Sequence, residues 1–307
     1  IGSRIRTLVS QAALTTMGRM KNTLLVAALL ASSAVAHAET KLTVTPFTAS
    51  PTGFLVNSTL VAGDKEAILI DAQFSLADAH RLIANILESK KTLTTVYITH
   101  SHPDHFFGLA AIKAAFPNAK LVATPGALAE IKKTADAKIK QWGPMYGALV
   151  PTKAVLPTAL AGTKLTLEGQ TLEIKTTQGD SADNTYVWIP STKTLIAGDI
   201  VFAGVHAWTR ETNADQRKAW IKSLDDLAAL GATTVIPGHQ DPKAKQDASA
   251  IKATKDYLLA FDEAVKSSKT PAEVETKMKA KYGTYALDII LKVGAETQFP
   301  APAPAKK

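Results

Sequence analysis

A run of mostly β-branched and aromatic residues, Thr95-Val96-Tyr97-Ile98-Thr99, leads without a spacer into His100-Ser101-His102-Pro103-Asp104-His105. Three of the chain's seven histidines fall in those six positions. A buried strand that ends in a loop lets alternate side chains converge on one point. His100 and His102 then project to one side, and Asp104 with His105 supply a second, adjacent point. Neutral imidazole and carboxylate suit Zn²⁺, and also Fe or Mn. The chain has no cysteine, which removes disulfide frameworks, thiolate metal sites and cysteine nucleophiles. Any metal here is held by nitrogen and oxygen.

The 307 residues suffice for a core without covalent staples, and the pattern around the cluster is mixed α/β. Residues 41–47, 54–62 and 66–70 read as strands, with Thr52-Gly53 and Gly63-Asp64 as turns and Asp71 closing the third. From Leu76 to Ser89 the period is helical, with Leu76, Ala79, Leu82, Ile83, Ile86 and Leu87 on one face. A helix over 109–116 and a strand over 120–123 follow. Residues 126–151 begin as a helix; the Gly- and Pro-bearing stretch Gln141-Trp142-Gly143-Pro144-Met145-Tyr146-Gly147 reads as a loop, either leaning over a pocket or simply packed. A hairpin turning at Glu168-Gly169, strands over 185–189, 194–196 and 233–236, and helices over 214–230, 244–266 and 271–282 complete the pattern. No repeat or linker divides residues 39–299, and the Pro/Ala/Lys-rich 300–307 reads as a disordered tail.

The amino terminus reads as a targeting segment over residues 20–38. Met20-Lys21-Asn22 is a short basic start, Leu24 to Val35 an apolar run too short to span a bilayer, and Ala36-His37-Ala38 a small-x-small cleavage site. Cleavage leaves Glu39 first, and residues 1–19 read as upstream sequence outside the fold. The expected location is outside the cytoplasm, in the periplasm of a Gram-negative bacterium, with no stable membrane insertion after cleavage. The formal charge of +8 shrinks accordingly. Arg4, Arg6, Arg19 and Lys21 precede the cleavage point, leaving 31 bases against 27 acids, a net of +4. The remaining lysines are scattered along helices, without the clustered stripe that nucleic acid requires. A small-molecule substrate is expected, and no nucleic acid.

The pattern His-x-His-x-Asp-His resembles the signature of the metallo-β-lactamase superfamily, and other motifs support the resemblance in order. Asp71 ends an early strand after two apolar residues, residues 183–190 look like the stretch after the family's third motif, and Ala197-Gly198-Asp199 and Pro237-Gly238-His239 match its last two. The resemblance covers residues 41–245. It implies an αβ/βα sandwich of two mixed β-sheets flanked by helices, with one or two metal ions, Zn²⁺ first, at one edge. His100 and His102 would hold the first ion, Asp104, His105 and His239 the second, with Asp199 between them. A metal-held hydroxide would be the nucleophile, and Asp104 would also orient it or carry its proton. The third motif departs from the family. Gln178-Gly179-Asp180 puts Asp180 where a histidine is usual. Asp180 either serves as a harder ligand or leaves the first site weak, giving a mononuclear enzyme.

What this implies is an exported hydrolase cleaving a lactam, lactone or ester. The alternatives are a metal-binding protein with weak or no turnover, and a thioesterase of the glyoxalase II kind. His206 and Trp208, just after the Asp199 strand, are candidates for substrate contact. His80 is expected on an exposed helix face. Ser181 is expected to be a turn residue, since no Gly-x-Ser-x-Gly surrounds it.

Overall fold

The computed structural model describes residues 41–300. The readings of residues 1–38, and of the tail beyond Pro300, lie outside the described residues. Six strands form the first sheet in sequence order: β1 (Thr43–Thr48), β2 (Asn57–Ala62), β3 (Glu66–Ile70), β4 (Thr92–Ile98), β5 (Lys120–Ala123) and β6 (Thr158–Ala159). The first three run antiparallel, and β3 to β6 are parallel to one another. The second sheet contains β7 (Lys164–Leu167), β8 (Gln170–Thr176), β9 (Thr185–Ile189) and β10 (Thr194–Ile196). Two short strands, β11 (Phe202–Ala203) and β13 (His239–Gln240), pair apart from it, and β12 (Thr234–Ile236) lies parallel to β10 at its edge.

The period-2 alternation of strand side chains sorts the core into layers. In β3, Ile68 and Ile70 face the second sheet and join Leu167, Leu172, Val187, Ile196 and Ile236. Ala67 and Leu69 face the other way, against helices α1 (Leu76–Glu88), α2 (Pro103–Phe106), α3 (Leu109–Ala115) and α4 (Pro125–Tyr146). In β10 and β12, Leu195 and Val235 turn outward to Trp220, Leu224 and Phe261. Those residues belong to α5 (Ala214–Ala228) and α6 (Ser249–Lys266), which pack with α7 (Pro271–Tyr282) and α8 (Asp288–Glu296). Helices, sheet, sheet and helices thus form an αβ/βα sandwich. Strands buried on both faces read as continuous apolar runs, as Ala67 to Ile70 does.

Several elements depart from the sequence reading: the 54–62 strand starts only at Asn57, and α8 has no counterpart in it. Gln141 to Tyr146 is not a loop; α4 continues through Gly143 and Pro144 and stops at Gly147, whose φ is +53°. Trp142 and Tyr146, one turn apart, both pack on Phe54 and Phe74, and this burial outweighs the poor helix propensity of Gly143 and Pro144. Leu87 is 62% exposed, because it stands 100° beyond Ile86 and off the buried arc. The 244–266 helix starts only at Ser249.

Candidate metal centre and pocket

Parallel pairing decides where the site forms. Because β3 and β4 run parallel, Asp71 and the Thr99–His105 segment emerge at the same sheet edge. The parallel pair β10 and β12 delivers Asp199 and His239 to one edge of the second sheet in the same way. After β4 the chain makes one helical turn: His102 is the residue before α2, Pro103 fills its first position, where a missing N–H costs nothing, and the turn swings Asp104 and His105 inward.

Two groups of side chains result. His100, His102, Asp180 and Asp199 present ligand atoms that all lie within 4.8 Å of one another, and so do Asp104, His105 and His239. Asp199 touches both. Its Oδ1 is 3.2 Å from His105 Nε2, and its Oδ2 is 3.2 Å from His239 Nε2 and 3.6 Å from His100 Nε2. Asp180 Oδ2 stands 3.2 Å from His102 Nδ1, while Asn184 donates to its Oδ1 at 2.7 Å and fixes the carboxylate. Asp104 Oδ2 lies 3.2 Å from His239 Nε2. Glycine makes this crowding possible. A Cβ on Gly238 would sit 2.0 Å from Asp199 Oδ1, and Gly198 takes φ +52° to turn Asp199 inward.

Outer hydrogen bonds aim the imidazoles. Asp71 Oδ2 accepts from His105 Nδ1 at 2.8 Å, and the Phe54 carbonyl accepts from His239 Nδ1 at 2.7 Å. Thr99 spends its hydroxyl hydrogen on Asp71, so at 3.0 Å it accepts from His100 Nδ1. In all three rings Nε2 is left facing the cluster. His102 is reversed, with Nδ1 inward and Nε2 3.4 Å from Glu211 Oε2.

The donor set suits a cation. Among the described residues, His100 Nε2, His105 Nε2, Asp180 Oδ2 and Asp199 Oδ1 are buried and crowd facing imidazole or carboxylate atoms at 3.2 to 3.6 Å without an aligned hydrogen bond, an arrangement costly to leave unmatched. The charges point the same way. Burial opposes charge on His102 and His239, yet Asp180 beside the first holds it well above the ordinary range, and Asp199 and Asp104 push the second up to about 10. Burial likewise opposes charge on Asp199, but His239, His105 and His100 hold it well below the carboxylate range. Asp180 is pushed up, chiefly by burial. Facing imidazoles and carboxylates thus favour each other's charged forms, and a divalent cation would take the place of the imidazole protons.

Above this floor lies a cavity of about 190 Å³. Phe54, Trp142, Phe202, Leu287 and Ile290 give it apolar walls, and Lys138, Gln141, Arg210 and Glu211 give it polar ones. His206 and Trp208 both line it. His206 is 1% exposed, and its Nδ1 shares a hydrogen bond with Tyr257 Oη at 3.0 Å. His80 is exposed on α1, away from the cluster, and Ser181 Oγ donates to Asp183 at 2.8 Å. Glu211, Lys138, Leu287 and Ile290 carry no signal in the sequence. They come from a loop, a helix flank and the carboxy-terminal segment, and only folding brings them to one cavity. Phe54 had a weak one, the Thr52-Gly53 turn before it.

Residues 51–239 match the model of the metallo-beta-lactamase superfamily, and the chain belongs to that family. A curated relative, the atrochrysone carboxyl ACP thioesterase of Aspergillus fumigatus, is 26% identical over 184 residues, 60% of this chain and 50% of its own. The match thus spans half that relative's length. Among solved structures, a metallo-beta-lactamase family protein from Thermus thermophilus superposes with a TM-score of 0.57 at 22% identity, covering 81% of this chain and 91% of its own. The DIM-1 metallo-beta-lactamase gives 0.52 at 23%, covering 71% and 92%. At such identities the likeness is one of fold, and the family is one of hydrolases.

Proposed function

We propose that this chain is an exported, metal-dependent hydrolase that opens a lactam, lactone or ester bond of a small molecule. The observation that carries the reading is the buried double cluster of inward-facing imidazole and carboxylate atoms at the floor of a largely apolar cavity. His100, His102 and Asp180 would hold one ion, Asp104, His105 and His239 a second, with Asp199 shared and Zn²⁺ the first candidate. A bound divalent ion supplies Lewis acidity, easing deprotonation of water and stabilising negative charge on a carbonyl oxygen. The chain's residues do the rest. Asp104, 13% exposed at the cavity floor, holds the proton taken from the attacking water. His206 and Trp208 contact the substrate from the side, and the aromatic walls exclude water from it.

A second reading is thioester hydrolysis, which the fungal thioesterase relative favours. Both are tested on the full chain expressed in a Gram-negative host. The periplasmic fraction should hold a chain starting at Glu39 with about two zinc ions, in wild type and in Asp180→His alike. A panel of a chromogenic cephalosporin, lactones, aryl esters and acyl thioesters should show turnover that His102→Ala abolishes. One ion in wild type and two in Asp180→His would remove Asp180 from the ligand set. No turnover across the panel by two-metal protein would overturn the hydrolase reading.

A further inference from the structure

Two bulky residues that line the cavity hold backbone conformations that bulky side chains rarely adopt. Phe54 has φ +60°, and Leu287 has φ +68° and ψ +47°. Both lie in the left-handed region, where a Cβ crowds the backbone. Leu287 breaks a second local rule. It is the residue before α8, where Ser, Thr, Asp or Asn would cap the helix, and it makes no side-chain cap. Such conformations persist only where surrounding structure imposes them, and they gather at ligand sites.

The imposing structure is visible. His206 N donates to Ala286 O at 3.0 Å, and Ala286 N donates to Gly204 O at 3.0 Å. This isolated parallel bridge straps the carboxy-terminal segment to the loop beyond β11. The strap brings Leu287, and Ile290 one helical turn later, to the cavity wall beside Phe202, whose ring stacks on the His239 imidazole at 5.4 Å. Leu287 and Ile290 lie in the carboxy-terminal segment, beyond residue 239, where the family match ends. Both side chains are half-buried: they reach the cavity and do not simply fill the core.

We propose that Leu287, Ile290, Phe54 and Phe202 form a subsite for an apolar acyl group, and that the strapped carboxy-terminal segment sets the preference of the enzyme for acyl size. The proposal rests on the hydrolase reading for the meaning of "acyl", but binding tests it without turnover. Straight-chain carboxylates from acetate to decanoate, the acid products of ester cleavage, are titrated calorimetrically into the zinc-loaded full chain. In wild type the affinity should rise about fourfold per methylene over several steps, the value for burying a CH₂ group. Leu287→Ala with Ile290→Ala should cut that rise to less than about twofold per methylene, with the metal content of wild type. Leu287→Gly relieves the backbone strain while removing the Leu287 part of the wall, so it should lower the rise without loss of thermal stability. In parallel, aryl esters of the same acids should show the same dependence in kcat/KM.

Affinity that does not change with chain length in wild type, or an unchanged rise in the variants, overturns the subsite, and so does failure of every carboxylate to bind. A chain-length rise in binding with no ester turned over would keep the subsite and remove the hydrolase reading. Turnover with no such rise would do the reverse.

Discussion

Asp71 stands outside both groups of ligand atoms, yet it governs a histidine in each. Its Oδ2 accepts from His105 Nδ1 and from the Thr99 hydroxyl, each at 2.8 Å. An ionised carboxylate can only accept, so the Thr99 oxygen must take its next hydrogen from His100. One side chain therefore fixes the tautomer of His105 directly and of His100 through Thr99. Such outer partners commonly matter 10- to 100-fold for metal affinity. Asp71→Asn should weaken zinc binding by about one to two orders of magnitude, read by competition with a chromophoric chelator. The backbone is left undisturbed, because φ at Asp71 is +62° and asparagine tolerates that region. Equal affinity in both proteins would show that Asp71 serves the fold alone.

Among the elements, two hairpin turns at the end of the sandwich away from the site hold the sheets in register. The β7–β8 turn, Glu168-Gly169, has φ of +47° and +84°, the sense that matches the twist of a hairpin. Glu168 carries its carboxylate onto the β2–β3 turn and accepts from the backbone of Asp64, Lys65 and Glu66 at 2.8, 2.6 and 2.7 Å. Those backbone bonds, Lys65 first, hold its pKa below the ordinary value. The folded pKa is thus the lower one. The contribution to stability is complete above the unfolded value and is lost as pH falls through the folded one. Wild type should melt above Glu168→Gln at pH 7, and the gap should narrow as pH falls below the ordinary glutamate range; a constant gap in thermal scans would refute the role. The sequence marked both turns, by Glu168-Gly169 and Gly63-Asp64. It could not mark that they meet, because about a hundred residues separate them in the chain.

For the molecule as a whole, His206 sits where three regions meet: the strap to Ala286, the Tyr257 hydroxyl of α6, and Asp288 Oδ1 of α8 at 3.6 Å. Burial pushes its pKa down to about 4, against the opposing pull of Asp288. The unfolded chain, with an ordinary histidine near 6.5, binds more protons between those values. Stability should therefore decline as pH falls from about 6.5 to about 4, since the depressed folded pKa favours the native state only above that window. Denaturant midpoints across the window should show this decline, and His206→Gln should flatten it. An equally steep decline in the variant would assign it to other groups.

Much of the molecule was legible because its signals are local. Period-2 and period-3.6 patterns place most strands and helices, and residue type with short spacing groups His100, His102, Asp104 and His105, because a strand end needs only neighbouring residues to aim them. Asp180, Asp199 and His239 were legible through ordered family motifs and not through proximity. The tertiary structure alone decided what depends on packing between distant segments. Trp142 and Tyr146 on Phe54 and Phe74 carry a helix through Gly143 and Pro144. Glu211 stands against His102, and Leu287 is held in a conformation that its own side chain disfavours. Sequence determines which side chains are available and which backbone they prefer; burial between remote segments decides where those preferences are overruled.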